Sequence, residues 1–219
     1  MQPARLNPED ISKAYTWIAP MHDWLAVLVE ARARRLGLVW AKVQDGERVL
    51  EVAVGTGLSF CHLLRQNPTG HTDGIDLTPA MLKRARRRAE RTGASSYRLA
   101  PGNAFDLDFP DDTFDLVLNS YMVDMVPEAD FVPLLREYKR VLKPGGRLVM
   151  MNMTLGERWY NQFWEMLYRL HPPLLGGCRG VRLLPYVQQA GFVHTRRASI
   201  SQWTFPSEVL YGEKSYSFR

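Results

Sequence analysis

A glycine turn between an apolar run and a helical pattern is the feature of this sequence with the clearest chemistry. The run Val49–Val54 leads into Gly55, Thr56 and Gly57, which predicts a buried strand followed by a turn and a helix. Glycine is needed where φ is positive or where a ligand comes too close to the backbone for a Cβ atom. N–H groups at the start of the helix can bind an anionic part of that ligand. The turn therefore indicates a nucleotide-type site, although glycines also occur in plain turns.

An acidic residue at the end of the next predicted strand strengthens this interpretation. Asp76 follows Gly57 by about 20 residues, at the place where a carboxylate accepts both hydroxyl hydrogens of a ribose. Strand, glycine turn, helix, strand and acid together predict a cofactor that contains adenosine.

Two further residues distinguish between such cofactors. A dinucleotide fingerprint needs a small residue where Phe60 stands, and no Lys-Ser/Thr pair follows the glycines to clamp a triphosphate. Glu51 precedes the turn, where it would repel a dinucleotide phosphate and attract an amine. These residues favour S-adenosylmethionine. A nicotinamide-dependent oxidoreductase and a non-catalytic cofactor-binding protein are the alternatives.

The composition is that of an ordinary globular protein. The 219 residues are 46% apolar and 23% charged, which excludes a disordered or fibrous chain and suits one α/β domain. Cys61 and Cys178 are too few for a disulfide framework. The apolar run Trp24–Val29 is too short to span a membrane, and the first residues lack a secretory signal pattern. We therefore expect a cytoplasmic enzyme.

The net charge of +5 is concentrated in two clusters. One lies within Lys83–Arg91, and the other comprises Arg32, Arg34 and Arg35. A solvated helix face is the simplest interpretation of such a run. No nucleic-acid module accompanies the arginines, so no nucleic-acid partner is expected. Peripheral contact of the basic helices with an anionic membrane, at its inner face, is the alternative hypothesis.

Apolar and polar residues alternate along the chain with the periods of strands and helices. The predicted strands cover Arg48–Val54, His71–Leu77, Ser96–Ala100, Phe114–Asn119, Arg147–Met153, Phe192–Ile200 and Trp203–Tyr211. The predicted helices cover 9–40 in two pieces, Leu58–Gln66, a segment starting at Thr78-Pro79, Phe131–Leu142, Tyr160–Leu170 and Leu184–Ala190. Thr78 is expected to cap its helix, and Pro206 predicts that the last strand is bulged or at an edge.

In the helix before residue 40, the pattern places Leu28 and Val29 on the apolar side and Glu30 and Arg34 on the polar side. Strands that alternate with helices predict an α/β fold, a doubly wound and mostly parallel sheet with helices on both faces. Ligands of such sheets bind at the carboxyl ends of the strands.

With these motifs, the chain resembles class I S-adenosylmethionine-dependent methyltransferases over nearly its whole length. Within that class it is similar to the group of ubiquinone/menaquinone-biosynthesis and bacterial phosphatidylethanolamine N-methyltransferases. The motifs that carry the resemblance are Glu51–Gly57, Gly74–Leu82, Gly102–Phe105, Arg140–Gly146 and the N-terminal segment Tyr15–Asp23. The resemblance implies a Rossmann-like seven-stranded sheet with one antiparallel strand and a helical N-terminal extension.

The resemblance also implies roles for individual residues. It assigns the cofactor to Tyr15, Glu51, Ala53, Gly55, Thr56, Gly57, Asp76, Leu77, Met81, Asn103, Ala104, Phe105, Asn119 and Ser120. Asp76 would bind the ribose, while Leu77 and Met81 would lie against the adenine. Ala53 stands where a glycine is common, which is a mild departure because alanine is small. Asn103 stands where an aspartate is common, and its carbonyl would accept the adenine amino hydrogen.

The methyl acceptor is less well defined. Tyr121 and His22 are the candidates for orienting or deprotonating it, and no metal site is predicted. The aromatic segment between Trp159 and Leu170 is the predicted substrate cover, which suits a hydrophobic small molecule, a prenylated quinone or a lipid headgroup, including phosphatidylethanolamine. We expect a single methyltransferase domain over 1–219, with an N-terminal cover (1–42), a cofactor-binding core (43–155) and a segment of substrate cover and closing strands (156–219).

Overall fold

The computed structural model describes residues 28–157, 159–161, 163–164, 166–167 and 178–216. The helices are α1 (28–41), α2 (Leu58–Gln66), α3 (Pro79–Glu90), α4 (Phe131–Val141) and α5 (Leu184–Gln189), with single helical turns at Val123–Met125, Glu128–Asp130 and Trp159–Asn161. The strands are β1 (Arg48–Val52), β2 (His71–Asp76), β3 (Tyr97–Pro101), β4 (Phe114–Ser120), β5 (Leu142–Met153), β6 (Phe192–Gln202) and β7 (Phe205–Lys214). The predicted helices 9–40 and Tyr160–Leu170 lie partly outside the described residues, which show helix at 28–41 and helical residues within 159–167. The other predicted elements are confirmed, apart from small shifts at their ends.

The strands form one seven-stranded sheet in the order β3-β2-β1-β4-β5-β7-β6. Strand β7 pairs antiparallel with both β5 and β6, and all other pairs are parallel. The predicted Rossmann-like fold is thus confirmed, including its one antiparallel strand. The order reverses direction next to β1, so the carboxyl ends of β1 and β4 border the crevice where doubly wound sheets bind ligands.

Alternation along the strands separates two apolar cores, because successive side chains point to opposite faces. On one face, Val49, Leu118 and Met151 pack with Val29 and Ala33 of α1. The other face packs against α4 and α5, with a core that contains Leu50, Val117, Phe131, Leu134 and Val187. The register pairs Glu51 with Leu118, so Glu51 belongs to the face that α1 covers.

The prediction for the polar side of α1 is wrong. Glu30 is buried and pairs with Arg34, at 2.7 Å from Oε2 to Nη2, whereas Leu28 is 50% exposed. Periodicity predicts a solvated polar face, but the first turns of this helix lie near the carboxyl ends of the strands, where charged groups can be enclosed. Gly37 allows the close approach of α1, since a Cβ atom there would lie 2.4 Å from the sulfur of Met151.

The prediction that Pro206 marks an edge or a bulge is also wrong. Strand β7 is interior, and Pro206 is its second residue, beyond Ser207, which forms the last pair with β5. Its carbonyl oxygen still accepts the N–H of Thr154, one residue beyond β5, at 3.0 Å, and a proline fits at this end of the ladder although it has no N–H to donate. A two-residue turn of Trp203 and Thr204, with φ of 50° and 66°, joins β6 to β7. Positive φ at both positions is the geometry of a tight hairpin turn.

No helix among the described residues has both the length and the apolar character needed to cross a membrane.

Candidate active site

The predicted site residues gather at the carboxyl ends of four neighbouring strands, β1 to β4. They are Glu51, Ala53, Gly55, Thr56 and Gly57 from β1 and its turn, Asp76, Leu77 and Met81 from β2 and α3, Asn103, Ala104 and Phe105 after β3, and Asn119, Ser120 and Tyr121 from the end of β4. Tyr15 and His22 lie outside the described residues. The individual roles of all these residues stay predictions.

Asp76 holds the glycine turn in place. Its carboxylate accepts the N–H of Gly55 through Oδ2 at 2.7 Å and the N–H of Thr78 through Oδ1 at 2.8 Å. Burial raises the pKa of Asp76, although these two N–H bonds lower it. Thr78 stands at the N-cap position of α3 and is followed by Pro79, as predicted, but its side chain makes no capping hydrogen bond. The carboxylate is therefore already fixed by backbone donors at the place where a ribose would bind.

The turn itself needs left-handed backbone at three alternate positions. Ala53, Gly55 and Gly57 have φ of 57°, 56° and 82°. A Cβ atom at Gly57 would meet the backbone of Ala85 at 3.0 Å, whereas a Cβ atom at Gly55 would meet nothing within 4 Å. Gly57 thus allows α2 to pack closely on α3, and Gly55 borders open space. Alanine at position 53 is a larger departure than its size suggests, because the left-handed conformation itself is unfavourable.

Arg88, one residue of the arginine run on α3, holds the glycine turn through hydrogen bonds. Arg88 Nη1 donates to the carbonyl oxygen of Thr56 at 2.8 Å and to its hydroxyl oxygen at 3.0 Å. Arg86 donates to the carbonyl oxygen of Leu99 at 3.1 Å. The interpretation of the whole run as a solvated helix face is therefore wrong for Arg88, which attaches α3 to the glycine turn, whereas Arg86 is exposed and also contacts β3.

Several buried polar atoms at this edge have no hydrogen-bond partner among the described residues. They are Glu51 Oε2, Asn119 Oδ1 and Ser120 Oγ. Burial raises the pKa of Glu51 well above its usual range; Asp76 adds to this effect and Arg34 opposes it. A buried carboxylate with an unused oxygen is costly unless a cation or donor pairs with it. These atoms fit a ligand that carries an ammonium group and further hydrogen-bond donors.

The adenine side of the site combines an exposed apolar side chain with polar loop atoms. Leu77 is 61% exposed directly after β2, whereas Met81 is buried in α3. Asn103 Oδ1 accepts the N–H of Phe105 at 3.0 Å. Asn103 Oδ1 thus uses one lone pair within its own loop, and its second lone pair is the one that would accept a hydrogen of the adenine amino group.

Tyr121 lies deeper than a surface acceptor-binding residue would. Its hydroxyl is 2.8 Å from Ser207 Oγ, and its ring packs against Phe205 with centroids 6.4 Å apart. Burial raises the pKa of Tyr121 well above its usual range, and the nearby charge of Glu30 adds to this effect. Its contact with a methyl acceptor stays a prediction.

Sequence reasoning missed the most buried acid at this edge. Asp124 Oδ2 accepts the N–H of Met153 at 2.9 Å, and burial raises the pKa of this carboxyl to about 7, while Arg179 lowers it. The fully buried Arg179 donates to the carbonyl oxygens of Asp124 and Val126, both at 2.7 Å. Asp124 lies in the short helical turn soon after β4, so its position after a predicted strand was a usable signal.

A second buried acid lies in the antiparallel part of the sheet. Glu208 is fully buried and accepts hydrogen bonds from Asn152, from the backbone N–H of Leu183, from Thr154 and from Arg197. Arg197 also pairs with the exposed Glu157 at 2.9 Å. Among the residues for which side chains are described, no group of three or more His, Cys, Asp or Glu is arranged to hold a metal ion.

The fold and the residues at this edge define an S-adenosylmethionine-dependent methyltransferase. Residues 49–146 match the family model of the methyltransferase domain. Demethylmenaquinone methyltransferase of Listeria welshimeri is 30% identical over 174 residues, which is 77% of this chain and 73% of the relative. The Tropheryma whipplei protein of the same name is 34% identical over 170 residues, 76% of this chain and 68% of the relative. The chain belongs to the class I methyltransferases of the menaquinone-biosynthesis type, and its cofactor is S-adenosylmethionine.

Solved structures agree on the fold. A chain in the complex between the Haloferax volcanii Trm112 methyltransferase activator and a candidate methyltransferase superposes with a TM-score of 0.76 at 19% identity, covering 95% of this chain and 99% of that one. The cyclase SpnF superposes with the same TM-score and identity, covering 98% of each chain. At this level of identity the likeness shows the fold alone, and the fold also serves an enzyme named for a different reaction.

Proposed function

We propose that this methyltransferase methylates the ring of a prenylated quinone precursor. The observation that carries the proposal is the similarity to two proteins named demethylmenaquinone methyltransferase over about three quarters of the chain. When bound, S-adenosylmethionine supplies a methyl group on a positively charged sulfur. The methyl group moves to a ring carbon of the reduced quinone, the sulfur keeps the electron pair of the broken bond, and the ring carbon loses a proton.

An apolar surface beside the site supports a hydrophobic acceptor. The side chains of Trp159, Phe163, Met166 and Trp203 are 83%, 54%, 53% and 72% exposed, and we call them the apolar cover surface. Trp164, by contrast, packs edge-on against Phe205 at 5.1 Å. Solvated aromatic groups of this size are unusual unless they meet a ligand, a partner or a membrane.

The apolar cover surface is tied to the basic end of α1. Gln202, in the hairpin that carries Trp203, accepts the N–H of Arg32 at 2.7 Å and donates to the carbonyl oxygen of Leu28. Arg32 and Arg35 are exposed on the same helix. Aromatic and basic side chains on one surface are complementary to an anionic bilayer. We therefore propose peripheral contact with such a bilayer, from which a prenylated acceptor would enter.

The acceptor is tested by methyl uptake from labelled cofactor into three candidates: a reduced demethylmenaquinone with a short prenyl chain, the same ring without the chain, and phosphatidylethanolamine. We expect label in the prenylated quinol, less in the bare ring and none in the phospholipid. Label only in phosphatidylethanolamine would replace the proposal with headgroup N-methylation, and label in none of them would overturn it.

Membrane contact is tested by co-sedimentation with vesicles of phosphatidylglycerol or phosphatidylcholine at low salt. We expect binding to the anionic vesicles only, with a loss of about 10-fold in the Trp159→Ser/Trp203→Ser variant. Tyr216→Ser is the matched control, because Tyr216 is 69% exposed but lies beyond the opposite end of β7. Equal binding to both vesicle types, or no binding, would contradict the proposal.

A further inference from the structure

Glu51 lies beneath α1, on the sheet face that this helix covers. It alternates with Leu50 and Val52, which belong to the opposite core, and it pairs in register with Leu118. Ala33 of α1 packs in the same core as Leu118. Ala33 thus places this turn of α1 against the sheet face that carries Glu51.

The residue that follows Ala33 on α1 is Arg34. Its guanidinium pairs with Glu30 one turn earlier, and the side chains of Arg34 and Glu30 are only 14% and 12% exposed. The charge of Arg34 also acts on Glu51 and on the Tyr121 hydroxyl, which belong to β1 and to the end of β4. The guanidinium is thus bonded to an acid of its own helix and is near enough to Glu51, the acid of β1, for the two charges to interact.

The bond to Glu30 uses one nitrogen, Nη2, of a guanidinium that carries five N–H donors. A planar guanidinium binds carboxylates through two parallel hydrogen bonds, so a second carboxylate can share it. Glu51, in turn, has a buried oxygen with no partner among the described residues. The pair Arg34 and Glu51 therefore presents one positive and one negative group to the same space.

We propose that Arg34 binds the α-carboxylate of the methionine part of the cofactor, while Glu51 binds its α-ammonium group. Glu30 acts as a positioning residue that holds the guanidinium over the site. A zwitterionic amino-acid end satisfies both charged groups at once, whereas an amine alone leaves Arg34 without its new partner. Arg34 thereby selects cofactors and products that keep the carboxylate.

Two non-reactive ligands test this selection: S-adenosylhomocysteine and its decarboxylated analogue, which keeps the amine. Isothermal titration gives the Kd of each for the full chain. We expect the wild type to bind the carboxylated ligand on the order of 10- to 100-fold more tightly, as for a charge-assisted pair at a half-buried site. In Arg34→Gln that ratio falls to within about 3-fold, while the Kd of the decarboxylated ligand changes little.

Arg35→Gln is the matched control, because Arg35 is the next residue on α1 and is exposed. Its ligand ratio should equal that of the wild type. Arg34→Lys keeps the charge without the two parallel bonds, so an intermediate ratio is expected. A preserved ratio in Arg34→Gln would overturn the proposal. If that variant does not fold, a wild-type ratio below about 3-fold overturns it and a larger ratio with an intermediate value for Arg34→Lys supports it.

These titrations contain no methyl acceptor, so their outcome is separate from that of the quinone assay. Uptake into the quinol without ligand selection would leave the acceptor proposal intact and overturn this one. Ligand selection without uptake into the quinol would support this proposal and overturn the one on the acceptor.

Discussion

The two halves of the sheet treat a buried glutamate in opposite ways, although each half also holds a buried amide oxygen without a partner among the described residues, on Asn119 in one and on Asn152 in the other. At the carboxyl ends of β1 and β4, Glu51, Asn119 and Ser120 each keep a buried oxygen with no partner among the described residues. In the antiparallel half, Glu208 takes hydrogen bonds from four protein donors. Unused hydrogen-bonding capacity is costly in a folded protein and is expected where a ligand completes it.

The difference concerns how the enzyme binds its two substrates, the cofactor and the methyl acceptor, at separate places. We propose that the first half recognises the charged cofactor through these unpaired groups. In the second half the buried charge of Glu208 is paired within the protein, and aromatic side chains such as Trp159 and Trp203 are exposed to solvent. In this proposal, polar and apolar recognition occupy different parts of one sheet.

The largest effect should come from Glu208→Ala, which tests whether the second half is held by its internal charges. The change leaves Arg197 and several buried donors without their acceptor, so we expect the free energy of unfolding to fall by about 3–5 kcal/mol. Urea denaturation measures it. Glu157→Ala removes the exposed partner of the same arginine and should cost less than about 1 kcal/mol. Similar losses in the two variants would contradict the role given to Glu208.

Asp76→Asn tests the first half. The amide keeps one acceptor oxygen but cannot accept from both Gly55 and Thr78, so the glycine turn loses a bond and the ribose loses a charged partner. We expect the Kd of S-adenosylhomocysteine, measured by titration, to rise roughly 30- to 100-fold. Asp108→Asn, a change in an exposed loop, is the control. An unchanged Kd would remove Asp76 from the cofactor site.

The free energy of unfolding measured against pH tests the role of Asp124, which lies between the two halves of the sheet. Its folded pKa of about 7 is above the ordinary value of 3.8, so the folded state holds a proton that the unfolded state releases. The contribution of this group to stability is therefore full at low pH and is lost as pH rises from about 4 to about 7. Compared with Asp124→Asn, the wild type should lose about 1 kcal/mol more per pH unit in that window. Parallel curves of unfolding free energy against pH would refute it.

Arg88→Ala tests the support beneath the glycine turn. Loss of the two bonds to Thr56 should raise the Kd of S-adenosylhomocysteine by about 5-fold, because the turn must then be ordered when the ligand binds. Arg87→Ala removes the preceding arginine, which is exposed, and should leave the Kd unchanged. Equal effects would mean that only the net charge of α3 matters.

The smallest effect concerns the backbone of the turn. Ala53→Gly relieves a left-handed alanine but makes the unfolded chain more flexible, so a net gain of about 0.5 kcal/mol is expected. Gly55→Ala should act in the opposite direction, because Gly55 also has positive φ although its Cβ position is open. Melting temperatures that shift in the same direction in both variants would exclude this explanation.

The cofactor half could be predicted from sequence because its groups are local. Glu51, Gly55 and Asp76 stand directly at the ends of consecutive strands, so strand pattern and spacing suffice to place them. Glu208 could not be predicted in this way, since its partners come from distant segments and only the antiparallel register of β7 brings them together. The prediction that Glu30 and Arg34 lie on a solvated face is wrong for a related reason. Periodicity separates polar from apolar faces of a helix, but it does not show that a polar face covers a site.

The hairpin turn at Trp203 and Thr204 has a consequence for folding during synthesis. Gln202 binds Leu28 and Arg32, which are 174 and 170 residues away in the chain, and Asn161 donates to the carbonyl oxygen of Thr204 at 2.6 Å, so distant segments meet at one turn. Helix α1 leaves the ribosome early, yet the hairpin on which it docks is made much later. We expect the glycine turn to form while α1 is still undocked, so that the covered cofactor site is completed only after β6 and β7 have joined the sheet.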